Sequence, residues 1–190
     1  MLLLASSSPR RSELLKMAGY DFTVVPSNAN EDYPSGTAPD RIVELLALRK
    51  AKAVAKPNAG AVVLAADTVV VLGGQVLGKP KDEAHAKAML RQLSGKVHLV
   101  YTGYCILSSE TLIQGHECTS VEFYPLRETE IEAYTATGEP LDKAGAYAIQ
   151  GRGALLIRRI DGDYYNVMGL PIGKIHRILV DMQIQANQRQ

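Results

Sequence analysis

The 190-residue chain has only two cysteines, Cys105 and Cys118. Both lie in apolar stretches without CxxC or Cys/His spacing, which argues against a disulfide scaffold or a cysteine-bound zinc and leaves two reduced, buried thiols as the expectation. The four histidines (His85, His98, His116, His176) are scattered, so a histidine-bound zinc is not expected either. Charge of one sign is also missing. Twenty-one basic residues against twenty acidic ones leave a net charge of +1, without the basic excess of a general nucleic-acid or anionic-membrane binder. No window approaches the roughly 20 apolar residues of a membrane helix. The opening MLLLASSSPRR has a short apolar run with no basic segment before it and arginines after it. It reads as part of the fold rather than as a signal peptide, and the expected location is cytoplasmic. The GxxxxGK(S/T) phosphate loop is absent. No repeat or low-complexity tract is present and no linker divides the chain, so one domain over residues 1–190 is expected.

What remains is an ordinary globular composition, 46% apolar and 22% charged. Residues 2–5 read as a short buried strand. Pro9 opens a helix, with Ser7 or Ser8 before it as N-cap, and Gly19 closes it. Residues 21–25 read as a second strand, 27–39 as a polar loop, and 40–55 as a long amphipathic helix. The run 61–72 has the near-continuous apolar character of a central strand, turning at Gly73-Gly74 into Gln75–Leu77. A helix over 81–93, strands over 97–108 and 112–124, and a short helix over 129–137 follow. Strands over 144–149 and 154–160, flanking the loop 150–153, and a final helix over 171–182 complete the chain. The mixture predicts an α/β fold with a mixed, elongated sheet flanked by helices.

Two features carry chemistry. In SSSPRR a strand turns into a helix through small hydroxyl residues, leaving backbone N–H groups and the helix dipole to face an anion. The guanidinium forks of Arg10 and Arg11 suit phosphate oxygens, although a serine-capped helix with two solvated arginines reads equally well from this segment alone. The second feature is Asp67, inside VVLAADTVVVL. A carboxylate there is costly to bury, so it lies at an exposed strand end or is paired with a cation or metal. Thr68 beside it offers a hydroxyl. Lys79 in GKPKD and Lys50 on the long helix read, by themselves, as solvated lysines. Glu139, Asp142, Lys143 and Gln150 lie among glycines in a polar segment of the kind that brings backbone close to a ligand. With Glu31 and Asp32 they add carboxylates, consistent with divalent-metal-assisted phosphoryl chemistry.

On LASSSPRRSELL, ALRKAKAVA, AADTVV, LGKPKD, EPLDKAGAYAIQGRGA and DGDYYNVMGLPI, in that order and across nearly the whole chain, the sequence closely resembles the Maf family of nucleoside triphosphate pyrophosphatases. The resemblance implies an inosine-triphosphatase-like α/β fold with an active-site cleft between two lobes. It further implies hydrolysis between the α and β phosphates and a divalent cation, Mg²⁺ or Mn²⁺. By position, Asp67 resembles the family's catalytic acid, the base for the attacking water or its metal-linked equivalent. Ser6, Arg10, Arg11, Lys50 and Lys79 fall on its phosphate-binding positions, and Glu31 falls on its loop acid, a metal partner with Asp67. Arg11, Thr68 and Gln150 fall on three specificity positions and are similar to the branch acting on dTTP and UTP, with modified pyrimidine nucleotides as a variant. A homodimer is also in keeping with the family. So, as an alternative, is a nucleotide-binding regulator of cell division or septum formation with little hydrolysis. Two residues depart from the pattern: Asn30, where relatives often carry an acid, leaves Glu31 and Asp32 as the alternative acid pair, and Ala65 replaces a frequent glycine.

Overall fold

The structure, a computed structural model, describes residues 1–187. Seven strands form a mixed sheet in the order β2-β1-β3-β5-β6-β7, with β4 paired to β3. These are β1 (Leu2–Leu4), β2 (Thr23–Val24), β3 (Val62–Leu72), β4 (Gln75–Leu77), β5 (Val97–Leu107), β6 (Leu112–Phe123) and β7 (Ile157–Asp161). The helices are α1 (Pro9–Met17), α2 (Pro39–Ala55), α3 (Glu83–Leu93), α4 (Glu128–Thr135), α5 (Tyr164–Met168) and α6 (Ile172–Asp181). The chain divides into two compact units. Unit 1 comprises Met1–Asp67, Thr102–Glu117 and residues from Gly169 onward; unit 2 comprises Thr68–Tyr101 and Cys118–Met168. Among the described residues no helix is long and apolar enough to cross a membrane.

In unit 1 the chain builds a βαβ-like core. β1 lies parallel to both β2 and β3, pairing Leu4 with Val24 and with Leu64. Helix α2 covers this core through small residues: Ala47, Ala51 and Val54 pack against Leu3, Ala5, Val63, Ala65 and Cys105. Alanines at helical spacing on one side and on the strands on the other permit a short helix–sheet distance. The closest approach is at Gly103 on β5, where an added Cβ would lie 2.3 Å from the Val43 carbonyl carbon. Ala65 is fully buried in this cluster. At the other side of the unit, Tyr20 after α1 joins α6 through a 2.8 Å bond between its hydroxyl and His176 Nδ1.

Unit 2 has its own core of Val70, Leu77, Leu90, Leu93, Val100, Val121, Phe123, Ile131, Tyr134, Tyr147 and Leu156. Helix α3 starts where Asp82 accepts the His85 N–H at 2.7 Å, an N-cap that shortens the expected helix by two residues. Three expectations are corrected. Residues 144–149 form no strand: Ala144–Ala146 is a 3₁₀ turn in which Gly145 has φ +68°, a conformation that strand pairing excludes. The strand expected at 154–160 is displaced to Ile157–Asp161, because Gly151–Leu156 tightens into another 3₁₀ turn. The strand expected at 21–25 pairs only over Thr23–Val24.

His98 lies in this second core, 1% exposed, edge-on to Phe123 and Tyr147 at ring distances of 5.0 and 5.3 Å. Its Nε2 is hydrogen-bonded to the Tyr147 hydroxyl at 2.7 Å, and its Nδ1 has no hydrogen-bond partner among the described residues. Burial pushes the imidazole pKa down to about 4 and the Tyr147 hydroxyl up. The folded protein therefore holds His98 neutral, whereas the unfolded chain takes up its proton near pH 6.5. This contribution to stability is complete above about pH 6.5 and is lost as the pH falls toward 4, about 3 kcal/mol in all. Urea unfolding at pH 7 and pH 4.5 checks it: His98→Asn narrows the difference between the two pH values, and an unchanged difference refutes the assignment.

Candidate active site

The sequence run leading to Ser6 is a buried strand, and the run leading to Asp67 is its parallel neighbour. The register pairs Leu4 with Leu64, and the Ala5 N–H continues it by donating to the Leu64 carbonyl at 2.8 Å. The SSSPRR turn thus leaves β1 just beyond that pair, on the side toward which β3 runs to Asp67. Ser8 occupies the N-cap position of α1 without a side-chain cap, and Pro9 fills the first helical position. Helix α1 has no acid in its first turn and carries Arg10 and Arg11 there instead. Cations at a helix N-terminus oppose the macrodipole. A helix N-terminus beside two guanidiniums has the polarity that suits an anion.

Ser6, which is buried, organises the turn. Its Oγ accepts the Ser8 N–H and an Arg11 Nη1–H, each at 3.1 Å, leaving its own O–H to donate. Arg11 Nε donates to the Gly169 carbonyl at 2.8 Å, tying α1 to the segment that begins α6. Burial lowers the pKa of Arg11, Asp67 draws it back up, Arg10 lowers it further and Glu31 raises it. The guanidinium stays charged and lies within the field of both carboxylates.

Asp67 sits mid-strand, not at a strand end, and its pairing with a cation is realised by Lys50. Lys50 Nζ lies 2.5 Å from Asp67 Oδ1 and 2.7 Å from Glu31 Oε1. The Lys50 and Asp67 side chains are 12% and 13% exposed, while Glu31 is 64% exposed. A little-exposed ammonium between two carboxylates offsets their mutual repulsion and fixes where their oxygens converge. The lysine that read as solvated is therefore central, because α2 is pressed close onto the strands. Of the two loop acids, Glu31 is the one whose carboxylate reaches Lys50.

Sequence reasoning missed how that loop is held. Asn30 Oδ1 accepts the Asp32 N–H at 2.7 Å, an Asx turn around Glu31. Arg49, adjacent to Lys50 on α2, donates to the backbone carbonyls of Asn30 and Asp32, the residues on either side of Glu31. Asn30 is thus a turn former beside Glu31. The only signal for Arg49 was its place beside Lys50 in ALRKAKAVA.

Contacts and charge link Ser6, Arg11, Glu31, Lys50 and Asp67 within unit 1, which also holds Arg10; Thr68, Lys79 and Gln150 belong to unit 2. Thr68 is half-buried directly after Asp67, and Lys79 is exposed beyond β4. The loop of Lys79 is tied down by its neighbour, since the Gly78 carbonyl accepts the Gly145 N–H at 3.0 Å. Gly145 fits there because it has no side chain: a Cβ would lie 2.9 Å from both Val70 methyls. Gln150 is half-buried at the N-cap of the 3₁₀ turn Gly151–Leu156.

Comparison with known proteins shows the family. The family model described as Maf-like protein matches residues 1–182. The chain belongs to the Maf family. A relative named dTTP/UTP pyrophosphatase, from Bacillus cereus (strain AH820), is 49% identical over 183 residues, 96% of each chain. One of the same name from Bacillus cytotoxicus is 51% identical over 177 residues, 93% of each chain. Among solved structures, the Staphylococcus aureus Ham1 protein is 17% identical, with a TM-score of 0.49, over 65% of this chain and 72% of that one.

The carboxylates of Glu31 and Asp67 are of the donor type that a divalent cation such as Mg²⁺ or Mn²⁺ takes. Both are hard oxygen donors, and their oxygens converge on one point, the Lys50 ammonium. Mg²⁺ and Mn²⁺ sites of this kind take one or two protein carboxylates and complete their shell with substrate phosphates and water. Among the described residues no group of three or more His, Cys, Asp or Glu side chains is arranged to hold a metal ion.

Proposed function

We propose that this protein is a nucleoside triphosphate pyrophosphatase that hydrolyses dTTP and UTP to the monophosphate and pyrophosphate. The observation that carries the reading is the Lys50–Asp67–Glu31 cluster, built in the same unit as the uncapped, arginine-bearing N-terminus of α1. The names and identity of the relatives support the choice of substrate.

In this reading Ser6, Arg10 and Arg11 hold phosphate oxygens at the α1 N-terminus, and Lys50 and Lys79 add cations. Asp67 orients a water in line with the α-phosphorus and takes its proton as the new P–O bond forms. The bond from the α-phosphorus to the bridging oxygen breaks, and pyrophosphate leaves with both bonding electrons. Lys50 keeps the Asp67 carboxylate aimed, and the arginines offset the charge that grows on the leaving group. Glu31 and Asp67 would hold Mg²⁺ or Mn²⁺, which when bound neutralises phosphate charge. Thr68 and Gln150 each offer both a donor and an acceptor, the complement of a pyrimidine edge.

Pyrophosphate release over a panel of canonical and modified triphosphates, with Mg²⁺, Mn²⁺ or a chelator, tests the proposal. The expected result is turnover that favours dTTP and UTP and disappears with the chelator. Nucleotide binding without pyrophosphate release overturns the reaction. Turnover that persists under chelation overturns the cofactor. An equal rate on purine triphosphates overturns the base preference.

A further inference from the structure

The segment carrying Gln150 has no sheet partner, yet its backbone is held on both sides by one pair of side chains in unit 2. On the N-terminal side the Tyr134 hydroxyl accepts the Ala148 N–H at 3.1 Å and donates to Glu139 Oε1 at 2.9 Å. On the C-terminal side Glu139 Oε2 accepts the Arg152 N–H at 3.2 Å, and Oε1 accepts the Gly153 N–H at 3.3 Å. All three backbone donors lie within three residues of Gln150. The packing is close as well. A Cβ on Gly153 would lie 2.2 Å from the Ala148 carbonyl oxygen and 2.8 Å from the Tyr134 hydroxyl, and one on Gly151 would lie 2.7 Å from Glu139 Oε2. Tyr134 is itself fixed, buried on α4 within the unit 2 core. Glu139 stands at the start of the 3₁₀ turn Glu139–Asp142, whose own backbone is held by Lys143 Nζ donating to the Glu139 carbonyl at 2.7 Å.

We infer that Tyr134 and Glu139 are positioning residues for nucleobase selection, clamping the backbone on both sides of Gln150 so that its amide is presented in one orientation. This rests on the proposed reading of Gln150 as a base contact. The physical reason is that an amide can donate or accept, so it discriminates between bases only when the loop bearing it cannot drift. A carboxylate and a phenol collecting three backbone N–H groups supply the restraint that ladder hydrogen bonds supply elsewhere. Glu139, among the glycines, is thereby engaged by the protein's own backbone.

The test compares Tyr134→Phe, Glu139→Gln and Gln150→Ala, with kcat and KM measured on dTTP, UTP, ATP and GTP and thermal unfolding measured alongside. Tyr134→Phe deletes one hydroxyl and keeps the ring packed, so it remains interpretable if Glu139→Gln unfolds. Both clamp variants are expected to lower the pyrimidine-over-purine ratio of kcat/KM by roughly 10- to 100-fold, mainly through a raised KM for dTTP and UTP. Adding either to Gln150→Ala should then produce little further loss, because the clamp acts through that amide. If Gln150→Ala changes the ratio and both clamp variants leave it unchanged, the inference is overturned while the base reading stands. A uniform fall in kcat with the ratio unchanged shows a merely structural role and overturns it too. If Gln150→Ala itself leaves the ratio unchanged, the base reading fails and this inference with it.

Discussion

Asp67→Asn is expected to lower kcat for pyrophosphate release by roughly 10²- to 10⁴-fold, with little change in KM. The substitution keeps the size and one acceptor oxygen of the side chain, so Lys50 Nζ retains a hydrogen-bond partner at the position where Asp67 Oδ1 now lies 2.5 Å away. Lys50 is not left as an uncompensated charge either, since Glu31 Oε1 remains 2.7 Å from it. Stability should therefore hold while the capacity to accept a proton from water is lost. Thermal unfolding and steady-state kinetics on dTTP separate the two: turnover near the parent's, in a folded variant, removes Asp67 from the role of base. Lys50→Met gives a different signature. It leaves two carboxylates facing each other without their cation and removes a phosphate contact, so both kcat and KM should worsen, and KM by more than in Asp67→Asn.

How far the sequence reached can be judged residue by residue. The SSSPRR turn, α2, the long β3 and the Gly73-Gly74 hairpin were legible because local chemistry determines them: a proline at the first helical position, apolar spacing, a β-branched run, two glycines at φ +56° and +83°. Asp67 was legible as an anomaly, a charge in an apolar run that had to be compensated. Its partner was not, because nothing in the residue types distinguishes Lys50 from Lys52, two residues further along the helix. The distinction arises only when the alanine face of α2 meets the strands.

The misreadings have a common cause. Residues 144–149 look like a strand because Tyr147 and Ile149 are apolar and buried, but Tyr147 is buried by side-chain packing in the unit 2 core and the segment has no ladder pairing. Hydrophobic pattern reports what is covered, and it does not say which backbone groups pair. Helix α5 is only five residues long, too short for a 3.6-residue period to show. The His98–Tyr147, Arg49–Asn30 and Tyr134–Ala148 contacts join residues of different elements, and no local periodicity pairs them.

Gly103→Ala is expected to have the largest effect on the fold. The new Cβ would lie 2.3 Å from the Val43 carbonyl carbon, 2.4 Å from its oxygen and 2.7 Å from the Glu44 nitrogen. These are backbone atoms of α2, so no side chain can rotate aside. Ordinary carbon contacts need about 3.5 Å or more, so the helix must retreat by roughly 1 Å along much of its length. That withdraws Ala47, Ala51 and Val54 from Leu3, Ala5, Val63 and Ala65, and opening a packed interface of this kind adds to the overpacking strain. The expected loss is about 3–5 kcal/mol, a large share of a typical domain's stability. Gly173→Ala provides the opposite sign. Gly173 lies in α6 with nothing within 4 Å of an added Cβ, so alanine there should stabilise by about 0.5–1 kcal/mol through its helix propensity. Urea unfolding of the two variants decides the matter, and a Gly103→Ala protein as stable as its parent would falsify the close helix–strand contact. The same displacement has a chemical consequence. Lys50 rides on α2, so the fraction of Gly103→Ala that remains folded should lose roughly 10²-fold in kcat as the ammonium is drawn away from Asp67. The small-residue seam between α2 and the strands thus sets the stability of unit 1 and the aim of the carboxylate through one and the same contact.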